Sequence, residues 1–220
     1  MSRESILAKI RSSLAGKTGA GRESTVAARL AKHPAGIIPA SQAKAGGLIE
    51  HFMQKANQAS ASVEIVQRSE TGTAITRFLR NHNLPKQLRC GSDLRLKSIV
   101  WPKSGAPRLS TGASDGNDLT GLSHAFAGVS ETGTLVLLSG PSNPTTINFL
   151  PENHICLVEA SDLVASYEAA WSRLRSKLKG NALPRTINMI TGPSRSADIE
   201  QTLILGAHGP VRLHVIIVKD

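Results

Sequence analysis

Apolar residues recur at helical spacing at the very start of the chain, where Ile6, Leu7, Ile10 and Leu14 share one face of a helix over residues 2–15. A Gly-containing break over Lys17–Gly21 leads to a second short helix over Glu23–Lys32. His33-Pro34 and Ile38-Pro39 then mark an extended connector. These forty residues read as an arm, packed either on a neighbouring subunit or on its own domain.

From Ser41 onward the pattern changes to helices and strands in alternation. Leu48, Ile49, Phe52, Met53 and Ala56 form a helical stripe, and Val63–Val66 a strand. Thr71–Asn81 places Ile75, Phe78 and Leu79 on one helical face, and Leu88–Cys90 and Ile99–Trp101 are short strands. Ser104–Asn117 is irregular and rich in glycine and hydroxyls, with the length of a lid; Asp115–Asp118 reads as a turn. Leu135–Leu138 and Ile155–Val158 are buried strands, and a helix capped by Ser161 runs past Tyr167, Trp171 and Leu174 to a basic end. Near the C-terminus, Thr186–Ile190 predicts a strand, Gly192-Pro193 a turn, Ser196 a helix N-cap with Asp198 in the first turn, Gly206 the helix end, and Val211–Val218 a strand. That is a βαβ unit, whose first loop lies where α/β folds bind ligands. The division predicted is an N-terminal helical arm over 1–40 and one α/β domain over 41–220.

Composition narrows the classes. The 220 residues support one sizeable core, and 40% hydrophobic with 19% charged residues fits a globular protein. No run approaches the length of a membrane span and the N-terminus lacks a signal-peptide apolar region, so the expected location is the cytoplasm. The net charge of +10 is uneven: residues 1–110 hold 18 Lys and Arg against 6 Asp and Glu, and residues 111–220 hold 8 against 10. With aromatics at 3% and no recognised binding motif, nucleic acid is a poor fit, which leaves an anionic substrate or an acidic protein partner. Two cysteines, Cys90 and Cys156, cannot hold an iron–sulfur cluster alone. The spacing of His208 and His214 is not that of a zinc pair, no metal ligand is assigned, and nucleotide-binding glycine fingerprints are absent.

Two blocks carry candidate chemistry. Glu131, Thr132, Gly133 and Thr134 sit at the mouth of a buried strand, where a carboxylate can act as base, nucleophile or ion-pair partner. Gly192, Pro193, Ser194, Arg195 and Asp198 in one loop face His208 and Gly209 in the next. Arg195 suits bidentate binding of a small carboxylate, and His208 suits proton transfer from a hydroxyl.

Taken in order, Glu131-Thr132-Gly133-Thr134, Leu150-Pro151-Glu152-Asn153-His154-Ile155 and the two C-terminal loops resemble the LUD-domain family, over roughly residues 120–220. The resemblance implies a three-layer αβα sandwich like that of the sugar-phosphate isomerase and coenzyme A transferase group. It also implies a role beside two iron–sulfur partner proteins in oxidising L-lactate to pyruvate, with the clusters on the partners and no cofactor assigned to this chain. Two alternatives stand beside it. Ser130-Glu131-Thr132-Gly133 is similar to the Ser-Glu-Asn-Gly motif of coenzyme A transferases, with Thr132 in place of Asn, which implies a stand-alone enzyme with Glu131 as nucleophile. The other is a non-catalytic scaffold subunit.

Overall fold

The computed structural model describes residues 2–15, 21–32, 47–179, 182–199, 202–206 and 208–220. The chain divides into two units, Met1–Pro39 and Ala40–Asp220. The first contains α1 (Arg3–Ala15) and α2 (Gly21–Lys32), the two helices predicted for it. Ile6, Leu7, Ile10 and Leu14 of α1 are all exposed. The predicted break over 17–20 and the connector around His33-Pro34 and Ile38-Pro39 lie outside the described residues.

The second unit is built on six parallel strands: β1 (Ser62–Gln67), β2 (Gln87–Cys90), β3 (Arg108–Thr111), β4 (Thr120–His124), β7 (Asn153–Glu159) and β12 (Arg212–Lys219). Their order across the sheet is β1-β12-β7-β4-β2-β3. Helices flank this sheet on both faces, as the α/β pattern predicts. Strand side chains alternate between faces, so β7 sends Ile155 and Leu157 one way and Cys156 and Val158 the other. The first pair packs on Ile75, Phe78 and Leu79 of α4 (Thr71–Asn81) and Leu96 of α5 (Leu94–Lys97). The second packs on Phe52 and Ala56 of α3 (Leu48–Gln58) and on a further sheet.

That further sheet has four strands, β5 (Ala127–Val129), β6 (Thr134–Leu138), β8 (Leu163–Val164) and β9 (Ile187–Ile190), in the order β8-β5-β6-β9. Leu135 and Leu137 of β6 face the large sheet's core, while Val136 faces Ala170 and Leu174 of α7 (Tyr167–Leu178). Both faces of β6 are therefore dry, and its run Leu135-Val136-Leu137-Leu138 is continuously apolar for that reason.

Four local expectations are corrected. Ile99–Trp101 is not a strand. Ser104–Asn117 is not wholly irregular, since β3 lies within it, and the stretch is anchored where Ser114 Oγ donates to Asp118 Oδ2 and Ser114 N donates to Thr146 Oγ1. The helix predicted from Ser161 starts later: Ala160–Asp162 is a 3-10 turn, β8 follows, and Ser166 caps α7 by accepting from Ala169 N. The largest correction concerns residues 195–205. The predicted helix is an antiparallel hairpin, β10 (Arg195–Ile199) with β11 (Thr202–Leu205), so Ser196 and Asp198 lie in a strand. Arg195 pairs with Leu205, and the loops at the hairpin base extend the ladder: Gly206 N donates to Ser194 O and Ser194 N to Pro210 O. Closing both strand ends on one residue satisfies backbone groups that a helix would have satisfied locally. The βαβ unit is accordingly absent, because β9 and β12 belong to different sheets.

Candidate functional site

A cavity of about 270 Å3 opens between the two sheets near the N-terminal ends of β7 and β12. Its walls come from four places: Asn148 and Phe149 of α6 (Thr145–Phe149), His154 of β7 with Leu213 of β12, the end of β9 running on through Gly192, Pro193 and Ser194 to Arg195, and the loop His208–Pro210. Open α/β sheets more often bind ligands beyond the carboxyl ends of their strands. Here the second sheet and the hairpin base build the pocket at the other end, which corrects the placement expected from a βαβ loop.

The two loops that define the rim are joined by one residue. Ser194 Oγ accepts from His208 N at 3.3 Å, adding to the two backbone bonds through Ser194. Gly209 approaches so closely that an added Cβ would stand 3.3 Å from Ser194 Cβ. Arg195 and His208, both exposed, are thereby set on the same opening.

The interior has a different character. Asn148 and His154 are both fully buried. His154 shares a hydrogen bond of 2.6 Å between Nε2 and Ser123 Oγ, while its Nδ1 has no partner. Burial pushes the imidazole pKa down from 6.5 to about 4, so it is neutral at physiological pH. Asn148 has no partner at either Oδ1 or Nδ2. These three buried polar atoms, which have no hydrogen-bond partner among the described residues, cost on the order of 1–3 kcal/mol each. Phe149, Ile190 and Leu213 supply apolar wall beside them.

Of the site residues expected from sequence, Gly192, Pro193, Ser194, Arg195, His208 and Gly209 line this cavity. Asp198 lies in β10, and its side chain is outside the described residues. Glu131, Thr132, Gly133 and Thr134 also lie outside it. Glu131 Oε1 accepts from Tyr167 N at 3.0 Å, which places its carboxylate on the N-terminus of α7 where the helix dipole favours negative charge. Thr134 Oγ1 is buried in a hydroxyl network with Thr132 Oγ1 (2.7 Å), the Tyr167 hydroxyl (2.9 Å) and Thr191 Oγ1 (2.6 Å). Since Thr191 borders the cavity, this network stiffens the wall from outside. Glu131→Ala is expected to lower unfolding free energy by about 1 kcal/mol, the usual scale for a lost cap, measurable by urea denaturation; a change too small to detect would remove the capping role.

The residues missed in the sequence are Asn148 and His154. His154 falls within the Leu150–Ile155 block, whereas nothing in the sequence marks Asn148, and a buried His or Asn ordinarily has a satisfied structural role. The cysteines do not form a cluster cradle: Cys90 and Cys156 are packed in cores on opposite faces of the large sheet, and burial pushes the Cys156 thiol up to about 12. Among the described residues no group of three or more His, Cys, Asp or Glu is arranged to hold a metal, and no helix is long and apolar enough to cross a membrane.

Residues 114–218 match the model of the LUD domain. Curated relatives include Lactate utilization protein C of Geobacillus sp. strain WCH70, 35% identical over 55% of this chain and 50% of the relative, and that of Bacillus subtilis strain 168, 34% identical over 62% of each. Lactate utilization protein C of Halalkalibacterium halodurans is 38% identical over 55% of this chain and 52% of its own. The matched stretch spans about half the length of most of these curated relatives. A crystal structure of a DUF162 family protein from Deinococcus radiodurans has the same fold, with a TM-score of 0.58 at 19% identity over 80% of this chain and 99% of its own. The cavity's rim loops and His154 all fall inside the residues that match the LUD domain, the family the motifs resemble.

Proposed function

We propose that this chain serves lactate utilisation, by binding a small 2-hydroxy acid, L-lactate foremost, in the cavity between the two sheets. The observation that carries the reading is the pairing of Arg195 and His208 around one opening. A guanidinium grips a carboxylate through two parallel hydrogen bonds. An imidazole at the same opening can take the proton of a 2-hydroxyl. The names of the relatives support lactate as the acid.

Oxidising the 2-hydroxyl to a 2-oxo group breaks the O–H and C2–H bonds, forms the C=O bond, and releases two protons and two electrons. In this reading His208 accepts the hydroxyl proton and water the other. The two electrons would need an acceptor, which iron–sulfur centres on partner proteins would supply, and acidic surfaces there would match the basic excess of residues 1–110. The capping contact of Glu131 gives its carboxylate a structural task and gives a covalent coenzyme A reading no support.

Arg195→Lys keeps the charge and loses the fork, so the Kd for L-lactate, measured by calorimetry on the full chain, is expected to rise about tenfold. An unchanged Kd would remove Arg195 from the carboxylate. For the partners, the tagged chain purified from lactate-grown cells is expected to bring down iron-rich proteins in stoichiometric amount, whereas a colourless lone chain would overturn that half of the proposal.

A further inference from the structure

We infer that Ser62, His214 and Glu64 form a second site, in which His214 activates the Ser62 hydroxyl to take an acyl group from a small uncharged ester.

The three residues come from two neighbouring strands. β1 and β12 pair in parallel with Ser62 opposite His214, and Ser62 and Glu64, two apart on β1, share one face of the sheet. The His214 ring lies between them: Nδ1 is 2.8 Å from Ser62 Oγ, and Nε2 is 3.0 Å from Glu64 Oε1. Chemistry fixes the direction of both bonds. The Glu64 carboxylate, which is also paired with Arg77, only accepts, so Nε2 carries the ring's proton. A neutral ring then has a bare lone pair at Nδ1, and Ser62 donates to it. The hydroxyl is held against a base, and the base is held by a third group, as an activated nucleophile requires.

The surroundings suit that task. His214 is buried and stacks on Phe78 of α4, with ring centroids 4.5 Å apart and planes 15° apart, which sets the orientation of the imidazole. Burial holds its pKa below the ordinary 6.5, against the raising effect of Glu64, so the ring is in the form that can accept a proton at physiological pH. Ser62 is exposed on the outer strand of the large sheet, where a substrate can reach it. A cavity of about 350 Å3 adjoins Glu64, with Val66 and Ala74 in its wall. Glu64 and Glu70 outnumber Arg77 in the same wall, so the cavity repels an anionic ester and admits an uncharged one. This site is separate from the cavity between the two sheets. Leu213 lines that one, and His214, the next residue of β12, faces the opposite side.

The step balances without a redox partner. Ser62 Oγ bonds to the acyl carbon and its proton passes to His214 Nδ1. The ester C–O bond breaks, and that proton moves to the leaving oxygen. Water then adds to the acyl carbon with the same base, releasing the acid and restoring the Ser62 hydroxyl.

An activated ester, p-nitrophenyl acetate, tests this on the full chain, with nitrophenol release followed by absorbance and acetylated residues located by peptide mass spectrometry. The wild type is expected to carry acetyl on Ser62 and to release nitrophenol at least about a hundredfold faster than Ser62→Ala, the usual scale of general-base assistance. Glu64 is a positioning residue. Glutamine there can donate as well as accept, so the tautomer is no longer fixed and the rate of Glu64→Gln is expected to fall at least about tenfold. The charged and titratable groups facing His214 are Glu64 of β1 and Arg77 and His82 of α4 and its C-cap, while β7 presents Ile155. Glu64→Gln removes the carboxylate that favours the imidazolium and leaves Arg77 unneutralised, so the acid limb of its pH–rate profile should move to lower pH. A tie that merely holds β1 to β12 would cost stability in both variants and move neither rate nor profile.

Acetyl on lysines alone, or equal nitrophenol release by the wild type and Ser62→Ala, would overturn the site. An unchanged rate and profile in Glu64→Gln would overturn the three-residue assignment. Ser62→Cys gives a second measurement that needs only the exposed position. Cys90 and Cys156 are both buried, so the new thiol is the exposed one. Its alkylation by iodoacetamide at neutral pH is expected to be at least about tenfold faster than that of free cysteine, because His214 draws off its proton, and a rate equal to free cysteine would count against His214 as the base.

Discussion

Gly133→Ala is expected to lower the unfolding free energy by about 3–5 kcal/mol, a large share of what a domain of this size possesses. Two costs add. Gly133 has φ +69, in the left-handed region that an alanine side chain disfavours. An added Cβ would also lie 2.3 Å from Ala56 N and 2.7 Å from Ala56 Cα, and these are backbone atoms inside α3 that no side-chain rotation can move. Gly192 meets the same helix end, with φ +72 and an added Cβ 2.1 Å from Ala59 O. Two glycines from different loops thus seat the second sheet on the last turns of α3. Gly140 is the control, because its Cβ would meet nothing within 4 Å. Urea denaturation of Gly133→Ala beside Gly140→Ala checks the account, and a difference under about 1 kcal/mol between them would refute the close-packing explanation. The folded fraction of Gly133→Ala should still bind ligand, since Gly133 lies outside the cavity wall.

The second large effect is one of pH. His154 titrates near 6.5 in an unfolded chain and near 4 when folded, because burial disfavours the imidazolium. Between those values the unfolded chain binds the proton and the folded one does not. The contribution is therefore fully present above about pH 6.5 and is lost as pH falls to about 4. The loss amounts to about 3 kcal/mol. His214 is shifted the same way, chiefly by burial, so both histidines make the fold acid-sensitive over an overlapping range. Glu159 belongs to a lower window: its hydrogen bond from His124 and its pairing with Arg68 hold it near 2, and what it contributes is lost only below about pH 4.5. His154→Asn isolates the first effect. Its stability, followed by chemical denaturation from pH 7 to 4, should fall less steeply than the wild type by about 3 kcal/mol over the range. An identical slope would mean that His154 is not held neutral by the fold.

These two predictions also show where the sequence was a good guide. The Glu131–Thr134 block was legible as special, since a glycine and two threonines at the mouth of an apolar strand demand a reason. That reason is packing and capping, and nothing local separates a glycine required by a ligand from one required by a neighbouring helix. The helix over Thr71–Asn81 and the strand around Ile155–Val158 were legible because their apolar residues follow one period throughout. Residues 195–205 were not, because Ser196 and Asp198 obey the rules of a helix start while Ile199, Thr202 and Ile204 favour a strand. The contest is decided by Ser194, which ties both ends of the hairpin through partners at Gly206 and Pro210.

By itself, the sequence determined the α/β class, the buried strand that holds Cys156, the basic first half, the family resemblance and the pairing of the Arg195 and His208 loops. Each depends on composition, on short-range periodicity or on residues adjacent along the chain. The tertiary structure alone decided that β9 leaves the parallel sheet for a second one, that Glu131 caps α7, and that the Asn148 amide and His154 Nδ1 are buried with no hydrogen-bond partner among the described residues. Those outcomes depend on what lies opposite a residue in space. A hydrogen bond that is not made has no signature in the chain until every neighbour that might have made it has been placed.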